Sequence, residues 1–207
     1  MNDMLRTQIE IENRWKAGGN IIVTSDIHAF HKNLCKGSSS WADKSGCRDF
    51  PNQFLMTEAV AANINAVAKE DDLVIHLGDF AFGGLANIPI MREKIVCKNI
   101  VNLYGNHDEH LREKSAYQDL FFSCLDYLEF RINGVLFCCQ HYPIEEWHDI
   151  NDGSVHLFGH RHTIGRIPLH GRSMDVGLDS NGIQPYKLDE LFNFMTTIEP
   201  YRKHHHR

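Results

Sequence analysis

The 207-residue sequence lacks several features that would place it in other protein classes. It contains no apolar run near the roughly 20 residues that a membrane-spanning helix needs, so we expect no membrane association of that kind. None of its six cysteines forms a Cys-x-x-Cys pair, which favours reduced, structural thiols and a cytoplasmic location. The segment Met1–Trp15 carries charges throughout and shows no signal-peptide core.

An excess of positive charge is also missing, because the formal net charge is −6. A protein that wraps a nucleic-acid duplex depends on neutralising phosphates, so we expect nucleic acid only as a short substrate. The composition, 43% hydrophobic and 23% charged, is that of a globular chain long enough for one domain. We expect an N-terminal extension over residues 1–19, a domain over 20–200 and a tail over 201–207. The tail histidines are native or a tag remnant, and the oligomeric state is left open.

Regular elements are predicted from apolar periodicity. An Asn133-Gly134 turn between two apolar runs predicts a β-hairpin over residues 129–141. The aperiodic segment 29–51 predicts a long loop, which is usually functional or disordered. Strand–helix alternation followed by a hairpin predicts a mixed α/β sandwich. Further strands are expected at 20–26, 72–79, 99–106, 154–160 and 173–179, and helices at 54–69, 88–95 and 110–124.

Histidine is abundant, with 14 residues, and many histidines follow the predicted strands. Ligand sites in α/β sheets lie at the carboxyl ends of strands, so we expect these side chains to meet. Residues two apart in an extended segment point the same way, which pairs Asp26 with His28 and His160 with His162. Imidazole, carboxylate and amide donors without thiolate suit Mn²⁺, Fe, Zn²⁺ or Ni²⁺. The polar side chains at strand ends are Asp26, His28, Asp79, Asn106, His107, Asp108, His141, His160 and His162.

These motifs resemble those of the calcineurin-like metallophosphoesterase superfamily. The segments HLGDFAFG, GNHD, HYP and DVGLD are similar, more specifically, to the small stand-alone phosphoesterases of bacteria and phages. One departure is Ala29, where many members have glycine after the histidine. The resemblance implies a single-domain αββα sandwich of two mixed β-sheets flanked by helices.

The resemblance also implies a site with two divalent metal ions and a hydroxide that bridges them. We favour Mn²⁺, with Fe, Zn²⁺ or Ni²⁺ as alternatives. His107 would stabilise the phosphoryl transition state and protonate the leaving oxygen, while Asp108 would orient its imidazole. The implied ligands are Asp26, His28 and His162 for the first metal, Asn106, His141 and His160 for the second, and Asp79 for both.

The implied activity is metal-dependent hydrolysis of a nucleotide-type or other small phosphoester, with phosphodiesterase as our first choice. Phosphomonoesterase and nucleotide pyrophosphatase are alternatives, and so is a non-catalytic metal-binding scaffold. The intact His107 and the full ligand set argue against the scaffold. Substrate contacts are expected from His31, Lys32 and Arg48. For Lys32 and Arg48 a solvated loop is the alternative, and for His31 a contact with a metal-ligating residue. Asp175 and Asp179 are candidate partners for a metal-ligating histidine.

Overall fold

The computed structural model describes residues 2–201, so the predicted tail lies outside the described residues except for Tyr201. No helix in that described range is long and apolar enough to cross a membrane. The strands are β1 (Ile21–Thr24), β2 (Leu73–His76), β3 (Asn99–Leu103), β4 (Ser123–Leu125), β5 (Leu128–Ile132), β6 (Val135–Cys139), β7 (Val155–Phe158), β8 (Ser173–Asp175) and β9 (Tyr186–Lys187). The α-helices are α1 (Asp3–Lys16), α2 (Gln53–Val67), α3 (Asn87–Lys94), α4 (Glu109–Glu113), α5 (Ser115–Gln118) and α6 (Leu188–Thr197).

The strands form two mixed sheets. The five-stranded sheet has the order β4-β3-β2-β1-β9, in which β1 to β4 are parallel and β9 is antiparallel to β1. The four-stranded sheet has the order β5-β6-β7-β8, in which β5 and β6 form an antiparallel hairpin and the other neighbours are parallel. Strands β1 and β2 are buried along their whole length, as expected of parallel strands covered on both faces.

The main core lies between the two sheets. Val23 and Ile75 of one sheet belong to the same buried cluster as Phe130 and Phe137 of the other. Helices α1 and α6 add Ile11, Leu191 and Met195 to this cluster. This arrangement is the expected single-domain α/β fold with two mixed sheets flanked by helices.

The opposite face of the five-stranded sheet carries a second core. Ile22 and Val74 project to this side, since residues alternate between the faces of a strand. They belong to one cluster with Met56 and Ile64 of α2 and Met91 of α3. The helices predicted at 54–69 and 88–95 are therefore confirmed, and they are the layer that covers this face.

The predicted hairpin is confirmed. Asn133 and Gly134 both have positive φ, 48° and 85°, and Ile132 pairs with Val135 across the turn. Positive φ at both central residues is the conformation that matches the twist of a two-stranded hairpin.

The helix predicted at 110–124 is wrong. The segment forms the short helices α4 and α5, which are separated at Lys114 (φ −117°, ψ 103°), and then becomes strand β4. Ser123–Leu125 pairs in parallel with Val101–Leu103 and extends the five-stranded sheet. Sheet pairing outweighs local helix propensity here, as tertiary context commonly does.

The N-terminal segment is a packed helix. Asn2 caps α1 by accepting a hydrogen bond from the Leu5 N–H at 2.8 Å. The Oγ atoms of Thr7 and Ser123 lie 2.8 Å apart, and Glu12 accepts from the Arg131 N–H at 3.1 Å. Helix α1 is thereby hydrogen-bonded to both β4 and β5.

Candidate metal centre

The polar side chains predicted at the strand ends meet at one place. Asp26, Asp79 and Asn106 follow β1, β2 and β3, while His141 and His160 follow β6 and β7. The site therefore stands where the carboxyl ends of parallel strands from both sheets converge, as the general rule for α/β sheets predicts.

The paired residues converge because their backbone lies in the left-handed region, and not because they belong to an extended strand. Asp26 and His28 have φ of 56° and 50°, and His160 and His162 have φ of 70° and 49°. The expectation that each pair shares the face of an extended segment is therefore wrong in its geometry, although both pairs do converge. Asp and His are among the residues that tolerate this region. Such strain, on the order of 1–3 kcal/mol per residue, is concentrated at functional sites.

Asp26, His28 and His162 form the first group of converging donors. The Nε2 atoms of His28 and His162 lie 3.2 Å apart. Oδ1 of Asp26 lies 3.7 Å from Nε2 of His28 and 3.8 Å from Nε2 of His162. The three donor atoms lie within 4.8 Å of one another, so one cation would touch all three.

Asp79, His141 and His160 form the second group, again within 4.8 Å. Oδ1 of Asn106 joins it, at 3.0 Å from Nε2 of His141 and 2.9 Å from Nδ1 of His160. Oδ2 of Asp79 lies 3.4 Å from Nε2 of His141 and also 3.4 Å from Nε2 of His28. The Asp79 carboxylate thus stands between the two groups.

The protonation pattern of these residues fits cations. Nδ1 of His141 donates to the Leu77 carbonyl at 2.8 Å, which leaves Nε2 of the neutral ring with a lone pair that faces Oδ2 of Asp79. Nδ1 of His162 donates to Asp179 at 2.7 Å, and its Nε2 lone pair likewise faces Oδ1 of Asp26. Converging lone pairs and carboxylate oxygens repel one another unless a positive charge lies between them. A nitrogen and oxygen donor set of this kind suits first-row divalent metals.

The electrostatics of the site favour ionised carboxylates. Burial alone would raise the pKa of Asp79, but the adjacent imidazoles of His141 and His28 hold that pKa well below the usual range. Burial opposes charge on His162 too, yet Asp179 and Asp26 raise its pKa above the ordinary value. His28 has the opposite outcome, because burial outweighs its carboxylate neighbours and lowers its pKa.

Arg48 is buried next to the first donor group, where it contacts the backbone of Asp26, and it does not line the cavity described below. Its guanidinium donates to both oxygens of Asp179 at 2.9 Å and to the backbone carbonyls of Asp26 and Ile27 at 2.6 and 3.1 Å. Only 4% of the residue is exposed. The expectation of a substrate contact from Arg48 is therefore corrected to a buried ion pair that holds Asp179.

Asp108 differs from expectation as well. Its carboxylate accepts from the backbone N–H groups of Asp79, Phe80 and Gly105 at 2.8, 3.0 and 2.9 Å. These bonds tie the turn after β3 to the turn after β2, so Asp108 orients the backbone that carries Asp79 and not the His107 ring. The His107 N–H donates to Oδ1 of Asp79 at 2.8 Å, and its side chain is exposed.

A cavity of about 370 Å³ opens above the two donor groups. His31 and His107 line it, whereas Lys32 is exposed at the surface and is not among its lining residues. Sequence reasoning missed Asn33, Leu34, Trp41 and Phe82, which also line it, although the unusual length of the loop at 29–51 pointed to a functional role for the region of the first three. A second cavity of about 390 Å³ lies beside the first and shares Phe82, Asn106 and His107 with it.

Comparisons with known proteins identify the family and a solved structure of similar fold. A family model described as calcineurin-like phosphoesterase matches residues 19–172. No curated protein matches the chain. A solved structure of a protein of unknown function from Aquifex aeolicus is similar with a TM-score of 0.60 and 16% identity, over 85% of this chain and 99% of that chain. A novel archaeal phosphodiesterase is similar with a TM-score of 0.43 and 20% identity, over 81% of this chain and 98% of that one.

Proposed function

We propose that this chain, which belongs to the calcineurin-like phosphoesterase family, is a phosphodiesterase. Its substrate would be a nucleotide-type phosphodiester, and the reaction would use two divalent metal ions. Membership follows from the match over residues 19–172, and the family acts on phosphoesters with divalent metals. Mn²⁺ is our first choice of metal, with Fe, Zn²⁺ and Ni²⁺ as alternatives.

The observation that carries the proposal is the position of Asp79 between two donor groups. Asp26, His28 and His162 would hold one ion, Asn106, His141 and His160 the other, and Asp79 would contact both. Bound ions would neutralise phosphoryl oxygens and lower the pKa of a coordinated water. The carboxylates of Asp26 and Asp79 are buried, so the protein itself compensates part of the ions' charge in a site of low dielectric.

His107 is the residue we propose for proton transfer. Its backbone N–H is held by Asp79, and its ring lines both cavities, beside the proposed metal ligands. No hydrogen bond joins a ring nitrogen of His107 to another residue in the described range, so the ring is available to a substrate. We assign it to donating a proton to the leaving oxygen.

Two adjoining cavities support a diester over a monoester. A phosphoryl group placed over the donor atoms would send one arm into the first cavity and the other toward Gly83, Gly84 and His110 in the second. A phosphomonoester has one arm and would leave one cavity without a role.

The test is a comparison of bis(4-nitrophenyl) phosphate with 4-nitrophenyl phosphate after Mn²⁺ is supplied. We expect about two metal ions per chain by elemental analysis, after removal of the terminal histidines, and faster turnover of the diester. Asp79→Asn is the negative control. A neutral amide cannot balance two dications, so this variant should lose both bound metal and turnover. Full metal content and full turnover in Asp79→Asn would show that the assignment of Asp79 as the ligand shared by both ions is wrong, and a preference for the monoester would favour phosphomonoesterase.

A further inference from the structure

Three aromatic rings, those of His31, Trp41 and Phe82, line the 370 Å³ cavity beside the proposed metal ligands, and we call this part of its wall the aromatic subsite. The His31 and Phe82 rings are packed with centroids 3.9 Å apart, and Trp41 lies edge-on to His31 at 5.8 Å. Trp41 is nevertheless 45% exposed. A large indole left half in water at a cavity wall offers a flat apolar surface that a ligand can cover, because covering it removes apolar area from water.

The polar groups in this wall present hydrogen-bond donors. Nδ1 of His31 accepts from the Leu34 N–H at 3.1 Å, so in the neutral ring the proton is on Nε2. Oδ1 of Asn33 accepts from both the N–H and the hydroxyl of Ser40 at 3.0 Å. A backbone N–H can only donate, so these bonds identify the Asn33 oxygen and leave the amide NH₂ as a donor. A ligand that satisfies this wall needs a flat face and acceptor atoms at its edge.

We propose that the aromatic subsite binds the nucleobase of the substrate, with Trp41 as its stacking surface. A nucleobase combines a planar ring with ring nitrogens or carbonyl oxygens that accept hydrogen bonds, whereas a plain alkyl arm offers neither. His28, one of the proposed metal ligands, has its ring centroid 5.4 Å from that of His31, so one small molecule can reach the metal ligands and the aromatic wall together. The cavity volume lies in the range of small-molecule sites and suits a mononucleotide arm.

This proposal rests on the proposed function for the placement of the phosphate, but its test needs no turnover. Adenosine 5′-monophosphate and ribose 5-phosphate are titrated calorimetrically into the Mn²⁺-supplied protein, and each probe is checked for hydrolysis afterwards. The two probes share the phosphate and the ribose and differ in the base. We expect adenosine 5′-monophosphate to bind the native protein more tightly by roughly tenfold or more, the scale of one base–aromatic stack.

Trp41→Ala should remove this preference to within about twofold, and Trp41→Phe should keep most of it, because stacking needs only an aromatic ring. Phe54→Ala is the matched control, since Phe54 is a 61% exposed aromatic residue that lines neither cavity. This variant should prefer adenosine 5′-monophosphate over ribose 5-phosphate to the same degree as the native protein. The ribose 5-phosphate affinity and metal content should be the same in all four proteins.

Two results would overturn the subsite. One is the absence of any preference for adenosine 5′-monophosphate in the native protein, including the case in which neither probe binds. The other is an undiminished preference in Trp41→Ala. Failure of the phosphodiesterase proposal is a separate result, because it would be seen as absent turnover of both nitrophenyl substrates while the base preference in binding stands.

Discussion

Nδ1 of His162 lies 2.7 Å from Oδ2 of Asp179, and this contact determines that Nε2 is the ring nitrogen that faces Asp26 and His28. Burial would raise the pKa of Asp179, but hydrogen bonds with His162 and Arg48 hold it well below the usual range. Asp179 is thus an anion that orients a proposed metal ligand. Carboxylates that hydrogen-bond ligating histidines typically have this role.

Asp179→Asn should weaken one of two metal positions. The amide keeps the size of the side chain but loses the charge that favours the His162 Nδ1–H tautomer, so we expect a loss of about 10–100-fold in affinity at one position. Calorimetric Mn²⁺ titration measures both positions. Asp152→Asn, at an exposed carboxyl, is the control. Native affinity at both positions in Asp179→Asn would contradict the role assigned to this contact.

Arg48→Met should destabilise the fold. It leaves the 10% exposed Asp179 carboxylate and two backbone carbonyls without their cationic donor. Removing one partner of a buried ion pair costs about 3–5 kcal/mol of unfolding free energy. Urea unfolding in the presence of chelator measures this loss. Arg131→Met breaks the exposed pair with Asp149 and should cost at most about 1 kcal/mol. Similar losses of unfolding free energy in the two variants would show that the buried Arg48–Asp179 pair stabilises the fold no more than an exposed pair does.

His107→Ala separates proton transfer from metal binding. We expect metal content to stay at the native level while turnover of a diester with an alkoxide leaving group falls by roughly 10²–10⁴. The fall should be smaller for a nitrophenolate leaving group, which needs little protonation. Steady-state rates on a matched pair of diesters measure the difference. An equal fall on both would indicate positioning or charge stabilisation, and loss of metal would make His107 a ligand.

Gly105→Ala should disturb Asp79 directly. A Cβ at Gly105 would stand 2.2 Å from Oδ1 and 2.6 Å from the backbone nitrogen of Asp79, far inside contact distance. Relief of such overpacking costs about 1–3 kcal/mol and moves the carboxylate, so Mn²⁺ affinity should fall at both positions. Gly46→Ala is the control, because its Cβ meets nothing within 4 Å. Calorimetry and thermal unfolding of the two variants make the comparison, and native affinity in Gly105→Ala would contradict it.

His156 should make the fold sensitive to acid. Its Nδ1 donates to the Cys138 carbonyl at 3.0 Å and its Nε2 accepts from the Ile144 N–H at 3.3 Å, so both nitrogens are satisfied in the neutral ring. Burial lowers the pKa of His156 from 6.5 to about 4. Between pH 6.5 and pH 4 the unfolded chain binds a proton at His156, whereas the folded chain does not. Stability is therefore retained above pH 6.5 and falls as the pH drops to 4, by about 3 kcal/mol.

His156→Gln removes this titration, so its unfolding free energy should decline less steeply over the same pH interval. Urea unfolding at several pH values, with chelator present to remove metal-linked proton release, gives both curves. Parallel curves for the native protein and His156→Gln would contradict the assignment.

Much of the proposed site was predictable from sequence, because its donors directly follow strands that can be recognised locally. Asp26, Asp79 and Asn106 come within three residues of the ends of β1, β2 and β3. Parallel strands deliver their carboxyl ends to one edge, so the meeting of these residues follows from strand order. The hairpin at Asn133-Gly134 and helices α2 and α3 were predictable for the same reason, since short-range turn chemistry and periodicity specify them.

The sequence by itself therefore determined the class of fold, the donors of the proposed metal centre and the family. Only the tertiary structure decided what surrounds them. Arg48 and Asp179 are 131 residues apart, and whether an arginine in an aperiodic loop faces solvent, substrate or a buried carboxylate depends on how that loop packs. The surroundings of Asp108, whose partners are backbone groups of two turns, and of Trp41 likewise depend on how these loops pack. Local patterns specify elements and their ends, whereas contacts between loops distant in sequence arise only when the packed elements bring them together.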